Sequence, residues 1–184
     1  MLNLQGHLVT RVLETGRGMR RFRRDARGAV AVEAAIATPF LVFLTAGIVE
    51  YGTLLYSMDL MQTGVRDAAR YLASVPGLPT APSTDKAAME ARARRLAVTG
   101  QITTGGAARI RDWAADAAGV SIAYEANANP RDGVTGLRSY RGDDNVYVVR
   151  VTGTVNYKGI GLIRFLGVDA VPMNAIHEER HVAH

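Results

Sequence analysis

"RGAVAVEAAIATPFLVFLTAGIVEYG", Arg27 to Gly52, decides how this chain is read. From Ala34 to Val49 sixteen consecutive residues carry no charge, and Tyr51 to Met58 continue the apolar character past Glu50. At about 1.5 Å per residue, a helix from Ala29 to Met58 crosses a hydrocarbon core of roughly 30 Å. A buried core helix is the plain alternative, but sixteen uncharged residues behind an arginine cluster weigh against it. One residue fits poorly. Glu33 puts a carboxylate at the mouth of the apolar run.

The charge distribution orients the segment. Residues 1–28 hold seven arginines against Glu14 and Asp25, whereas residues 29–184 hold fifteen basic and fifteen acidic side chains. Arginine on the N-terminal flank predicts a cytoplasmic N-terminus, with everything after Gly52 outside. The basic character thus belongs to a leader, and the balanced remainder has no polybasic face for nucleic acid. The absence of cysteine excludes disulfides, thiolate zinc sites and a cysteine nucleophile. A cleaved secretory signal needs an apolar run of about 7–15 residues ended by a small-x-small site. Thr45-Ala46-Gly47 meets this poorly, and Arg20-Arg21 resembles a twin-arginine signal only loosely.

Beyond the apolar run, Leu54, Met58, Met61, Val65, Ala68 or Ala69, and Leu72 recur at spacings of three and four, a single stripe on a helix. Pro76-Gly77 stops it. The expectation is one helix of about 45 residues, half in lipid and half amphipathic outside, kinked at Pro39 by the lost backbone hydrogen bond. Pro76 to Asp85 reads as a linker, Lys86 to Val98 as a helix, and Ala107 to Ala118 as a second short helix with Ile110 and Trp113 inward. After Gly119 the period changes to two. "VSIAYEA" alternates; Tyr147, Val149, Val151, Val155 and Tyr157 share one face, as do Val171, Met173 and Ala175. Pro172 points to an edge or strand-start position. These readings give an α+β fold: a long N-terminal helix packed by its outer half on a small antiparallel sheet with short helices. The domains expected are a leader at 1–28, the helix and its extension at 29–75, and an extracytoplasmic α+β domain at 76–184.

Glu33 gains meaning from its distance to Gly28. A cut after Gly28 would begin the new chain Ala29-Val30-Ala31-Val32-Glu33, with the acid fifth. A glycine closing a basic leader, an acid fifth in the new chain and then an apolar run form the class III signal of type IV pilin-like proteins. Cleavage would create an α-amine with a reference pKa of about 7.7–8.0, largely cationic at neutral pH. Glu33 of one subunit could meet that amine on a neighbour, joining two poorly solvated charges at the membrane edge. The plain alternative is an interfacial glutamate that snorkels to water and has no function.

With "MQTGVRDAARYLAS" following, the segment resembles the TadE-like family of tight-adherence (Tad, or Flp-type) pilus systems, whose members resemble type IV minor pilins or pseudopilins. Gly28, Glu33, Pro39, the Gly47–Glu50–Gly52 cluster and Ala68-Ala69-Arg70 carry the likeness, which covers about residues 20–75. The relatives with a von Willebrand-type metal site are not indicated, because no DxSxS run is present. The resemblance implies a pilin-like fold and cleavage between Gly28 and Ala29 by a prepilin peptidase at the bacterial inner membrane. It implies assembly with other pilin and pseudopilin subunits. The outer domain would then be periplasmic, or carried into a pilus. The alternative is an uncleaved, single-pass envelope binding or scaffold protein.

Other motifs carry less. His177, His181 and His184 lie near Glu178 and Glu179, but a solvated tail accounts for them more simply than a metal site. Asn127 to Gly133 and Arg141 to Asn145 offer oxygen ligands without EF-hand spacing, and Arg141-Gly142-Asp143 is too short a match to an adhesion tripeptide to count. "GIGLIRFLG", Gly159 to Gly167, is too short to span and reads as a covered loop. No Ser-His-Asp set, phosphate loop or carboxylate pair stands out, so neither cofactor nor enzymatic activity is expected. The topology has a direct test: protease added to spheroplasts should remove residues 90–184 and spare the leader. Protection of residues 90–184 would reverse the orientation.

Overall fold

The computed structural model describes residues 26–140 and 144–182. Most of the arginine leader, the Arg141-Gly142-Asp143 tripeptide and His184 lie outside the described residues. Helix α1 spans Ala26–Ser74 without interruption and contains Pro39. Its 49 residues correspond to about 73 Å of rise. The chain divides into two compact units, Met1–Ile48 and Val49–His184.

In the first unit, every large apolar side chain from Val30 to Ile48 is more than half exposed. Among the described residues one helix, Gly28–Ser74, is long and apolar enough to cross a membrane. Thr38 and Thr45 donate their hydroxyls to the carbonyls of Ala34 and Leu41 at 2.6 and 2.8 Å. Each hydroxyl is therefore satisfied within the helix, as an apolar surrounding demands.

The second unit is built on the C-terminal part of α1. Met61, Val65, Ala68, Ala69 and Leu72 are essentially inaccessible, and Leu54 packs against them. Met58 departs from the expected stripe and is 37% exposed; the half-buried Ser57 takes the inward position instead. Residues spaced 50, 54, 57, 61, 65, 68 and 72 follow the 3.6-residue period more closely than a run through 58. Past Ser74 the chain turns at Pro76-Gly77, with Gly77 left-handed, into a single 3-10 turn at Leu78–Thr80. Leu78 is buried, so this stretch is packed rather than a free linker. Helix α2 follows at Ser83–Thr99, ended by left-handed Gly100.

Strand β1 (Val120–Ala128), β2 (Asn145–Tyr157) and β3 (Val171–Arg180) form an antiparallel meander in the order β1-β2-β3, and helix α3 (Leu162–Phe165) lies between the last two. Val149, Val151, Val155 and Tyr157 of β2, with Met173 and Ala175 of β3, face the core. Pro172 is the second residue of an outermost strand, so its missing N–H costs little. On the opposite face Arg150 reaches Glu125 at 2.9 Å and Glu178 at 2.6 Å, linking all three strands. The Glu178 contact, reinforced by both negative charges, raises the Arg150 pKa further.

The short helix expected at 107–118 does not form. Ile110 and Trp113 are nevertheless buried. Asp112 adopts a φ of 65°, which a right-handed helix does not allow. The Asp116 carboxylate accepts the N–H groups of Ala118 and Gly119, a local pattern that competes with helix. Trp113 donates its indole N–H to Gly119 O at 2.9 Å.

The sheet comes close to α1 at Gly153, where an added Cβ would stand 2.9 Å from Val65 Cγ1 and 3.0 Å from the Trp113 ring. Overpacking a site this tight costs about 1–3 kcal/mol. Gly153→Val should lower the thermal midpoint of the Trp113 near-UV signal by ~2 °C or more in the detergent-solubilised chain. An unchanged midpoint would contradict the close approach.

Candidate membrane and assembly site

The four residues singled out in the sequence all lie on α1. Gly28 is half-buried, and Ala29, Glu33 and Pro39 are exposed. The Gly28–Ala29 peptide lies within the helix, two residues after its first residue. Ala29 and Glu33 are i,i+4 neighbours on one helix face. Among the described residues, no ion pair involves Glu33.

The buried acid among the described residues is a different one. Glu50 is only 4% exposed. Its carboxylate accepts the Ile160 N–H, with the nitrogen 3.1 and 3.3 Å from the two oxygens, and the Leu162 N–H at 3.2 Å. Leu162 opens α3, so the negative charge also meets the positive end of that turn. Burying a carboxylate carries a desolvation cost of several kcal/mol unless hydrogen bonds offset it; those from backbone N–H groups to a charged acceptor are among the stronger ones. Gly159 makes the approach possible. Its φ is +66°, and a Cβ there would clash with Glu50 Oε1.

The surroundings extend this anchor. Thr53 and Tyr157 share a hydroxyl hydrogen bond of 2.7 Å. Lys158 meets Asp112 at 2.7 Å, and that contact, strengthened by the ammonium charge, holds the Asp112 carboxyl below the ordinary carboxylate range. Between α1 residues Thr53–Leu60 and these groups lies a half-open cavity of ≈ 490 Å³.

The remaining sequence candidates are used structurally. His181 is part-buried, with Nε2 2.7 Å from Val75 O, and its N–H reaches Tyr147 O at 2.8 Å. The C-terminal segment is thus docked on the end of α1 rather than solvated through residue 182. His177 pairs with Glu179 at 3.2 Å. Among the described residues no group of three or more His, Cys, Asp or Glu is gathered for a metal. Three of the loop residues have their oxygens occupied: Asn129 is buried and exchanges hydrogen bonds with the Tyr140 backbone. Asp132 accepts from Val134 and Thr135, bonds that lower its pKa, those from Thr135 most; Asp144 pairs with Arg138.

Gly159 to Gly167 is not a covered loop. Ile163 packs on the core, but Ile160, Phe165 and Leu166 are 63%, 73% and 66% exposed. Sequence reasoning noted Glu50 only as an acid ending the apolar run. The signal it left unused was phase: Glu50 stands four residues before Leu54, in register with the buried stripe.

Compared with known families, residues 28–70 match the family described as TadE-like protein. Neither a curated protein nor a solved structure matches the chain.

The Glu50 anchor predicts a local effect. Glu50→Ala should speed amide hydrogen exchange at Ile160 and Leu162 by roughly tenfold, the equivalent of ~1.4 kcal/mol per hydrogen bond lost. Exchange in β2, at Val149 and Val151, should change far less. Equal acceleration in both places would make Glu50 a general stabiliser rather than the anchor of this loop.

Proposed function

We propose, from the TadE-like character of residues 28–70, that this protein is a minor pilin or pseudopilin of a Tad-type (Flp) pilus assembly system. It enters the inner membrane with its N-terminus cytoplasmic and everything after about Gly52 periplasmic, and a prepilin peptidase cuts it after Gly28. The observation that carries this reading is the coincidence, on one helix, of the family match, Gly28, Glu33 and an exposed apolar surface. After the cut, the α-amine of Ala29 lies one turn from Glu33 along the same face. In a bundle of such helices, Glu33 pairs with the amine of a neighbour, and each charge loses a poorly solvated state at the membrane edge. Other pilin and pseudopilin subunits are its partners, and its part in pilus assembly and adhesion is structural rather than enzymatic.

A second reading has one observation in its favour: the Gly28–Ala29 peptide lies inside α1 instead of in an extended segment. An uncleaved, tethered envelope scaffold would keep it so. Processing separates the two.

N-terminal sequencing of the mature protein should begin at Ala29. Gly28→Lys should accumulate full-length precursor, because a side chain crowds a backbone that the peptidase must approach closely. Glu33→Gln should be processed substantially yet fail to crosslink or co-purify with other pilus subunits, since the amine is left without its counter-charge. A mature chain that retains residues 1–28 would support the scaffold reading. Normal assembly by Glu33→Gln would leave that residue a bystander.

A further inference from the structure

We propose that Gly159–Gly167 forms a second membrane contact, resting Ile160, Phe165 and Leu166 in the outer-leaflet interface. The inference rests on reading α1 as membrane-spanning and adds a lipid-binding surface on the folded outer unit.

The tether fixes the depth. Glu50 follows the uncharged run Ala34–Val49 directly and holds the backbone of Ile160 and Leu162. Counted along α1 from Gly28, Glu50 lies after about 33 Å of helical rise, close to the thickness of a hydrocarbon core. The loop is therefore fastened to the helix at the level where hydrocarbon gives way to headgroups. Two tyrosines on α1 follow: Tyr51, next to Glu50, and Tyr56, about 9 Å further along the helix, are 62% and 64% exposed, and amphipathic rings of this kind concentrate at membrane interfaces.

The loop has the chemistry for that place. Its apolar side chains divide: Ile163 turns to the core while Ile160, Phe165 and Leu166 turn out. The exposed Arg164 stands among them, and an arginine stem lies along apolar surface while its head reaches lipid phosphate. Lys158 flanks the segment on the other side. Backbone polarity is dealt with internally. Phe165 N–H reaches Gly161 O, Leu166 N–H reaches Leu162 O, Gly167 N–H reaches Arg164 O and Val168 N–H reaches Ile163 O, all at 2.9–3.0 Å. A segment bordering hydrocarbon requires this, since lipid offers the backbone no partners.

The chain contains no cysteine, which permits a clean test on the full-length protein. Single-cysteine variants Phe165→Cys, Leu166→Cys, Ser121→Cys and Val42→Cys would carry an environment-sensitive fluorophore in liposomes of phosphatidylcholine and phosphatidylglycerol. Quenching is read with a lipid bearing a nitroxide near its carbonyl, and with aqueous iodide. Labels at 165 and 166 should be quenched several-fold more by the lipid nitroxide, and several-fold less by iodide, than the label at exposed Ser121. Labels at 165 and 166 that follow Ser121 would overturn the proposal. Labels there shielded from both quenchers would overturn it as well, placing protein on the loop. The Val42 label, about 12 Å deeper along α1, keeps the two readings apart through iodide and a lipid with its nitroxide deep in the acyl chain: shielding from iodide and deep-nitroxide quenching at 42, without carbonyl-nitroxide quenching at 165, sinks this inference alone. Iodide quenching at 42 equal to that at Ser121 removes the span, and the inference with it.

Discussion

Glu50 accepts the N–H groups of Ile160 and Leu162 at the point on α1 where an uncharged, exposed surface gives way to a buried stripe. The helix changes surroundings there without changing its backbone. On one side every large side chain is exposed from Val30 to Ile48; on the other, Met61, Val65 and Leu72 are covered by protein. A carboxylate tolerates that boundary only if its oxygens are filled. The loop after β2 fills them, and Gly159 is shaped to let it.

From this anchor the rest of the second unit follows in order. The stripe on α1 needs a cover, and a three-stranded sheet needs a partner for its apolar face. Each meets the other's requirement. Gly153 brings the central strand within van der Waals reach of Val65, and Trp113 fills the space beside them, its indole N–H on Gly119. The alanines of α1 and α2 join the same core. Charges on the outer sheet face, such as Arg150 between Glu125 and Glu178, are 40–48% exposed and add little. Tyr124, whose ring lies under the Lys86 ammonium, has its hydroxyl pKa pushed up by burial and by the nearby Glu90 charge.

Periodicity in the sequence was enough to find α1, its inward stripe, the three strands and their inward faces, because regular elements repeat their burial at 3.6 or 2 residues. It failed where burial and backbone part company. Ile110 and Trp113 point inward as helical spacing foretold, but Asp112 and Asp116 select turns through backbone bonds that no apolar count registers. It also failed on Gly159–Gly167. Apolar composition says that a segment avoids water, not what covers it, and a core and a bilayer leave the same letters. That Gly28, Glu33 and Pro39 share one helix was legible from the apolar run. Glu50 was visible but misjudged, since its role depends on a loop 110 residues away.

The docking of the last strand also governs when this unit can exist. Val182 donates to Ala73 O, and His181 reaches Val75 O, while β3 supplies Met173 and Ala175 to the core. The contact between His181 and Val75 spans 106 positions of chain, and closing such long loops slows folding relative to local pairing. In time, then, α1 is made and placed long before its cover arrives. Until β3 has been made, the stripe from Met61 to Leu72 lacks part of the sheet that covers it. The growing chain passes through a stage in which its outer helix must be sheltered by something other than itself.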